Sequence, residues 1–287
     1  MWSKRSEWLI TSSPFFWLLL FFLIPTLIVI AFSFKPSELY GGIGSGWTLE
    51  TIGKIFTRST ARLLFRSTWI AISVTALCLF LSLPVGYYIG SLRGWRKHFM
   101  LLLIIIPFWS SFIIRIFAWK QLLHPEGFFH KILVNLNLIQ PDATLLYTTS
   151  TVILVMVYSY LPFAILPIYA SASKFDHHLL EAAYDLGMGK LKAFFMIFIP
   201  SIKNGIYSAT LLVLIPAIGA YVIPDMVGGT HSMMIGNKIA EATFIERNIP
   251  FASALSTLMM SVVLLPLLLA AILQNRQDKA HAIKGGH

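Results

Sequence analysis

Six long apolar runs constrain this chain more than any other feature of its sequence. A helix that crosses a lipid bilayer needs about 20 mainly apolar residues. The runs are continuous rather than alternating, which favours helices over a β-barrel. The sequence therefore predicts an all-α integral membrane protein with six transmembrane helices. Their predicted bounds are Pro14–Phe34, Ser67–Gly90, Phe99–Trp119, Ser150–Ala172, Lys203–Ile223 and Pro250–Leu273.

Charged residues are scarce along the whole chain. They make up 12% of it, against 57% hydrophobic residues, whereas about a quarter of a soluble protein is charged. No stretch has the composition of a separate soluble domain, so we predict a single transmembrane domain over residues 1–287. The one cysteine, Cys78, lies in an apolar run, which rules out a disulfide within the chain. The histidines show no metal-binding pattern, and the scattered basic residues argue against nucleic acid.

The distribution of basic residues predicts the orientation in the membrane. Lys4 and Arg5 precede the first span, and the short Arg93–His98 loop follows the second. Because cytoplasmic loops are enriched in Lys and Arg, we expect both termini on the cytoplasmic side of a bacterial inner membrane. A signal peptide would have a shorter apolar core, of roughly 7–15 residues, and a small-residue cleavage site, so we expect the first span to be retained.

Ionisable side chains are nearly absent from the spans. No Asp or Glu lies within any of them, and apart from Lys203 at the first position of span five, Arg115 is the only Lys or Arg inside one. Proton-driven carriers commonly use intramembrane carboxylates, so a carrier of that kind is disfavoured. Arg115 either extends towards the membrane surface or faces a transport path, and the sequence leaves both open. Every span contains a proline, which suits kinked helices around a path, although proline is also common in membrane helices generally.

The loop between spans four and five, residues 173–201, carries the most specific pattern. Asp176 is placed to cap a helix, apolar residues follow at helical spacing, and Gly187 suits a left-handed helix end. Glu181 and Asp185, four residues apart, lie on one side of that helix. A second apolar stretch runs to Pro200. The pattern indicates a short helix, a glycine turn and another helix, which either docks on another protein or rests on lipid.

The same loop resembles the EAA loop of ABC importer permeases, whose pattern is E-A-A-x3-G-x9-I-x-L-P. Here Glu181-Ala182-Ala183, Gly187, Ile197 and Pro200 match it, and Ile199 stands where leucine is usual. The resemblance implies a type I ABC importer permease fold with a cytoplasmic coupling helix that docks on an ATPase subunit. The candidate coupling residues are Glu181, Ala182, Ala183, Asp185 and Gly187. Gly187-Met188-Gly189-Lys190 does not complete a phosphate-binding loop, so ATP and Mg²⁺ would bind to the partner ATPase and no cofactor to this chain.

Other segments are similar to permeases of spermidine/putrescine importers. The third-span stretch from Pro107 to Ile116 carries this resemblance, as do Asp225-Met226-Val227-Gly228-Gly229 and Ile235-Gly236-Asn237. The resemblance implies polyamine import, with two ATPase subunits, a second homologous permease or second copy, and a periplasmic or lipid-anchored binding protein as partners. Phosphonate or iron(III) permeases share the loop and stay open as alternatives. An ATP-independent channel or carrier would leave the loop unexplained, and an intramembrane enzyme would need a cluster of reactive groups that is not visible.

Candidate residues of a cation path are aromatic or acidic. Aromatic faces attract ammonium groups, and carboxylates at an outer mouth attract a polycation. The candidates are Trp109, Tyr158, Tyr160, Tyr221, Asp225 and Glu241.

Two local patterns complete the sequence-based description. Residues Thr48–Arg66 are amphipathic, which predicts an interfacial helix leading into span two. Its alternative role is contact with a substrate-binding protein. Gly86 and Gly90 are spaced for close helix packing.

Overall fold

The computed structural model describes residues 12, 14–38 and 41–284, without the side chains of residue 267 and of residues from 269 onward. Lys4 and Arg5, on which the predicted orientation in the membrane partly depends, lie outside the described residues. The described chain is helical. In chain order its helices are α1 (Pro14–Phe32), α2 (Glu50–Ile55), α3 (Arg58–Ser91), α4 (Trp95–Ile105), α5 (Phe112–Leu123), α6 (Phe128–Asn135), α7 (Thr149–Ala172), α8 (His178–Asp185), α9 (Lys190–Ser201), α10 (Lys203–Ile218), α11 (Val222–Val227), α12 (Ile235–Phe244) and α13 (Ile249–Lys284).

Four described helical stretches are long and apolar enough to cross a membrane: α1, α3, α7 and the Ile249–Pro266 part of α13. Two bent pairs pass the same test. Trp95–Trp109 and Phe112–Asn135 meet at 91°, and α9 and α10 meet at 75°. The described chain therefore has four spans, or up to six when each bent pair forms one span, which agrees with the predicted all-α membrane fold.

The third predicted span, Phe99–Trp119, is not one straight helix. After α4 the chain makes a short 3₁₀ turn over Ile106–Trp109, and Ser110 is extended. Pro107 has no N–H to donate to the helix, and the Ser110 hydroxyl bonds to the Pro107 carbonyl at 2.7 Å. The kink expected at the proline of this span is therefore a bend of 91°, at which the helical hydrogen bonds are interrupted.

The fifth predicted span, Lys203–Ile223, ends early. Helix α10 stops at Ile218, and Ile223 belongs to the separate helix α11. At the break the Tyr221 carbonyl accepts the Asp225 N–H at 2.9 Å and the Asn237 side-chain N–H at 3.0 Å. Apolar composition alone did not reveal this stop.

The predicted interfacial helix Thr48–Arg66 is interrupted. Helix α2 ends at Ile55 and α3 begins at Arg58. The basic residues that recur every four positions in this segment therefore do not lie on one helix: Lys54 is in α2, and Arg58, Arg62 and Arg66 are in α3. Lys54 forms an ion pair with Glu50 at 2.8 Å within α2.

The chain's contacts divide into two compact units, Met1–Leu64 with Lys238–His287, and Phe65–Asn237. In the first unit α13 packs against α1 and α2, and the hydroxyls of Ser33 and Thr257 hydrogen-bond at 2.9 Å. The single transmembrane domain predicted for residues 1–287 stays a prediction.

The second unit is built around α7, which α10 and α3 approach closely. A Cβ at Gly86 would lie 2.6 Å from Ile168 Cγ2, and one at Gly90 would lie 2.9 Å from the Ala172 Cβ. A Cβ at Gly205 in α10 would lie 2.8 Å from the Pro167 carbonyl oxygen. The close packing predicted from the Gly86 and Gly90 spacing is therefore confirmed. Cys78 is fully buried in α3.

Candidate functional site

The loop 173–201 has the predicted helix, glycine turn and second helix. The Asp176 carboxylate accepts the His178 N–H at 3.0 Å at the start of α8. At its end the Gly187 N–H donates to the Tyr184 carbonyl at 2.9 Å, and the Met188 N–H donates to the Ala183 carbonyl at 2.9 Å. Gly187 has φ +81°, a left-handed conformation that glycine adopts without a steric cost. The predicted glycine-terminated helix is confirmed.

Helix α8 turns one face inward and another outward. Leu180 and Ala183 are buried, with 3% and 5% of their surface exposed. Leu179 and Leu186 are 51% and 88% exposed, and Ala182 is exposed as well. These three residues follow the i, i+3, i+7 spacing of a helix that lays an apolar face into a groove. Of the two alanines expected to contact the ATPase, the structure leaves Ala182 on the surface and places Ala183 inside.

An aromatic cluster joins the chain at the start of α8 to α3 and α9. Its members come from the end of α3, the loop before α8, and helix α9. Ring centroids lie 4.8 Å apart for Tyr87 and Phe198, and 5.2 Å apart for Phe175 and Phe198. Edge-to-face aromatic pairs of this kind add to the stabilisation that burial gives. No sequence pattern indicated this cluster. It consists of Tyr87, Phe175, His177, Phe194 and Phe198.

Glu181 has a partner within α8. Its carboxylate lies 3.0 Å from Nδ1 of His178, and both side chains are largely exposed. The hydrogen bond to Glu181 and its negative charge raise the pKa of His178 above the ordinary 6.5, and the charge of Asp176 adds to the effect. Asp185, also exposed, makes no ion pair with the described residues.

A cavity of about 610 Å³ lies among the 3₁₀ turn, α5, α7 and α10, all within the second unit. Its aliphatic wall is formed by α10, through Leu211, Leu212, Ile215 and Pro216. Its other walls are aromatic or polar, and they are formed by Phe108, Phe112, Arg115, Ser159, Tyr160 and Phe163. The rings of Phe108 and Phe163 meet edge to face, with centroids 5.3 Å apart.

Arg115 is the one cation in the lining of this cavity. Its guanidinium carbon lies 4.9 Å from the Phe108 ring centroid and 5.7 Å from that of Phe112. Its Nε is buried and has no hydrogen-bond partner among the described residues. Arg115 therefore lines a cavity, and its role in a transport path stays a prediction.

Of the six path candidates, only Tyr160 lines the cavity. Trp109 is 82% exposed. Tyr158 packs against Trp119, with centroids 5.3 Å apart. Tyr221, at the start of α11, is 46% exposed, and Asp225 on the same helix is exposed. Phe112, Ser159 and Phe163 were missed because residues distant in sequence meet only after the third span has broken.

Glu241, in the first unit, is engaged in an ion-pair network. Lys238 lies 3.0 Å from Glu241 and 2.8 Å from Glu246. Burial lowers the pKa of Lys238, but hydrogen bonds to Glu246 and Glu241 outweigh it, so the net shift is upward. A bound ammonium would have to compete with Lys238 for these carboxylates.

The glycine and asparagine motifs after α10 pack against neighbouring backbone. A Cβ at Gly228 would lie 2.5 Å from Ser232 Oγ, and one at Gly229 would lie 2.5 Å from the Tyr147 carbonyl oxygen. Asn237 accepts the Met234 N–H and donates to the Tyr221 carbonyl, both at 3.0 Å. These contacts fix the chain that follows α10, which gives Gly228, Gly229 and Asn237 a structural role.

Similar sequences cover almost the whole chain. The sequence model described as "Binding-protein-dependent transport system inner membrane component" matches residues 82–281. The spermidine/putrescine transport system permease protein PotB of Haemophilus influenzae is 33% identical over 92% of this chain and 93% of its own length. The protein of the same name from Escherichia coli K12 is 34% identical over 91% of this chain and 96% of its own.

Solved structures agree in fold. A bacterial ABC transporter involved in the import of the acidic polysaccharide alginate contains a chain that superposes with a TM-score of 0.71, at 15% identity, over 95% of this chain and 96% of that one. A bacterial alginate ABC transporter in complex with an alginate pentasaccharide-bound periplasmic protein contains a chain that superposes with a TM-score of 0.71, at 15% identity, over 96% of each chain. At this identity the likeness shows the fold alone.

Proposed function

The chain belongs to the inner membrane components of binding-protein-dependent transport systems, and from that premise we propose that it is the permease subunit of an ATP-driven polyamine importer. The observation that carries the substrate is the identity of 33% and 34% to two spermidine/putrescine permeases over nine-tenths of the chain.

The permease performs no bond chemistry in this proposal. ATP and Mg²⁺ bind to two partner ATPase subunits, and closure of those subunits moves α8. Helix α8 transmits the motion through the aromatic cluster to α3 and α9, and the bent spans switch the side on which the path opens. The exposed face of Leu179, Ala182 and Leu186 supports a docking role for α8.

We propose the other subunits, the orientation in the membrane and the path residues on the same basis. A second homologous permease completes the path, and a periplasmic or lipid-anchored binding protein delivers the substrate. Both termini lie on the cytoplasmic side of the inner membrane, on the same side as α8. Tyr160 lines the path, and the exposed carboxylate of Asp225 attracts the cation at its outer end.

Uptake by cells tests the substrate. Cells without a polyamine importer of their own would receive this permease together with the genes that neighbour it, and labelled spermidine and putrescine would be followed. We expect uptake that excess unlabelled polyamine suppresses. If the complex assembles and hydrolyses ATP but no polyamine enters, the substrate assignment is wrong, and phosphonates and iron(III) are the next candidates.

A further inference from the structure

Arg115 lies in a cavity whose described lining gives it no acceptor. Its Nε–H is buried and has no hydrogen-bond partner among the described residues, and no Asp or Glu is among the residues that line the cavity. Its guanidinium carbon lies 4.9 Å and 5.7 Å from the ring centroids of Phe108 and Phe112. Ring faces satisfy part of the charge, but a buried donor without an acceptor is destabilising. An acceptor from outside the described lining would complete the site.

The depth of the cavity argues against a lipid phosphate as that acceptor. Ser159 and Tyr160 line the cavity from the middle of α7. At a rise of about 1.5 Å per residue they lie roughly 15 Å along this span from its first residue. The hydrocarbon core of a bilayer is about 30 Å thick, and the phosphates lie at its edges. Ionisable side chains at such a depth pair with other groups of the protein.

This chain does not supply a carboxylate at that depth. No Asp or Glu lies within any of its six predicted spans. Asp225, on helix α11 that packs against α5, makes no ion pair with the described residues. A second copy of this chain would bring the same spans, which lack the carboxylate as well. The acceptor therefore belongs to a different chain in the same membrane.

We propose that this cavity is the docking surface for a second, non-identical permease subunit, one span of which inserts a carboxylate side chain beside Arg115. A carboxylate accepts the Nε–H and also balances the charge, whereas a neutral oxygen does only the first. The apolar wall on α10, formed by Leu211, Leu212 and Ile215, packs against aliphatic side chains of the same span. The inference rests on the proposed function, in which a second permease completes the path, and it adds the position and the chemistry of their contact.

Copurification of the two permeases tests the ion pair. The complete complex, expressed from this gene and its neighbours, would be purified through a tag on this chain, and the retained second permease would be measured. Arg115→Gln should lower the retained amount about tenfold or more, because removal of one member of a buried charge pair leaves the other unpaired. Arg93→Gln is the matched control. Arg93 is exposed and does not line the cavity, so the native amount should be retained.

Exchange of the two charges identifies the partner residue. Arg115→Glu should abolish retention, because it places two acids together at the contact. In that background, each Asp and Glu within the spans of the second permease would be replaced by Arg, one at a time. One of these replacements should restore most of the retention. Rescue of this kind also shows that Arg115→Glu does not act by unfolding the permease.

The outcomes distinguish this inference from the proposed function. The contact is overturned by undiminished retention in Arg115→Gln, by an equal loss in Arg93→Gln, or by the failure of every exchange to restore the pair. A complex that holds two copies of this chain, or a second permease without Asp or Glu in its spans, overturns it as well. Spermidine import in any of these cases leaves the importer standing. Loss and rescue in a complex that takes up no polyamine would support the contact and remove the substrate.

Discussion

At the residue scale, the two alanines of the α8 motif have different surroundings although they are neighbours in sequence. Ala183 packs inward beside Leu180, and Ala182 faces outward between Leu179 and Leu186. The first position is buried, and the second lies on the exposed side, where the proposed contact with the ATPase would form. The difference depends on which side of the helix each alanine occupies, and the Glu-Ala-Ala motif alone does not specify that side.

Substitutions at the two alanines should therefore fail in different ways. Ala182→Trp should leave the permease as stable as the native protein but reduce the ATPase that copurifies with it. Ala183→Leu should destabilise the permease itself, by about 1–3 kcal/mol, because it overfills a packed site. Thermal unfolding in detergent and a pull-down of the ATPase would separate the two effects. The same loss of stability at both positions would contradict the assigned orientation of α8.

The His178–Glu181 pair is sensitive to pH. The pKa of His178 is raised above 6.5, so the charged pair is complete below pH 6.5 and is lost as pH rises through the raised pKa. Reaction with diethyl pyrocarbonate, which attacks neutral imidazole, would report the titration by mass spectrometry.

Glu181→Gln should shift half-maximal modification of His178 to lower pH, because the carboxylate that holds the proton is gone. Asp185→Asn, on the same helix but without an ion pair to His178, should leave it in place. An unchanged profile in Glu181→Gln would show that the pair does not form in the protein.

At the element scale, close packing of helices around α7 depends on glycine. Gly86 and Gly90 let α3 approach α7, and Gly205 does the same for α10. Sequence spacing predicted the first contact, because a small residue every fourth position marks one helix face. It did not predict the second, because a single glycine carries no periodicity.

Gly86→Ala should lower stability because its Cβ would lie 2.6 Å from Ile168 Cγ2 and force α3 away from α7. A loss of about 1–3 kcal/mol is typical of overfilled sites. Gly53→Ala is the control, since a Cβ there meets nothing within 4 Å and alanine favours helix. Fluorescence-detected gel filtration after heating would measure both, and a Gly86→Ala protein as heat-resistant as the native one would contradict the packing.

At the scale of the whole molecule, composition and periodicity predicted a helical membrane fold and the glycine turn at Gly187. They did not predict the 91° angle between Trp95–Trp109 and Phe112–Asn135, because a proline either kinks a helix or ends it, depending on side-chain hydrogen bonds such as that of Ser110. The cavity could not be predicted from the sequence for the same reason. Phe108, Arg115 and Tyr160 come together only after that break has formed.

ATP-dependent uptake by the purified complex is the most direct measurement of the central claim, that this chain couples ATP hydrolysis on a partner to polyamine entry. Labelled spermidine would be offered with the binding protein on one side of proteoliposomes and ATP on the other. Three permeases would be compared: native, Gly187→Pro and Gly189→Ala. Gly187 has φ +81° and donates its N–H to the Tyr184 carbonyl. Proline cannot adopt a positive φ and has no N–H to donate. Gly189 has φ −67° and open space for a Cβ.

We expect ATP-dependent accumulation by the native and Gly189→Ala complexes, and none above the ATP-free background by Gly187→Pro. Native uptake by Gly187→Pro, or spermidine entry that is indifferent to ATP, would contradict it.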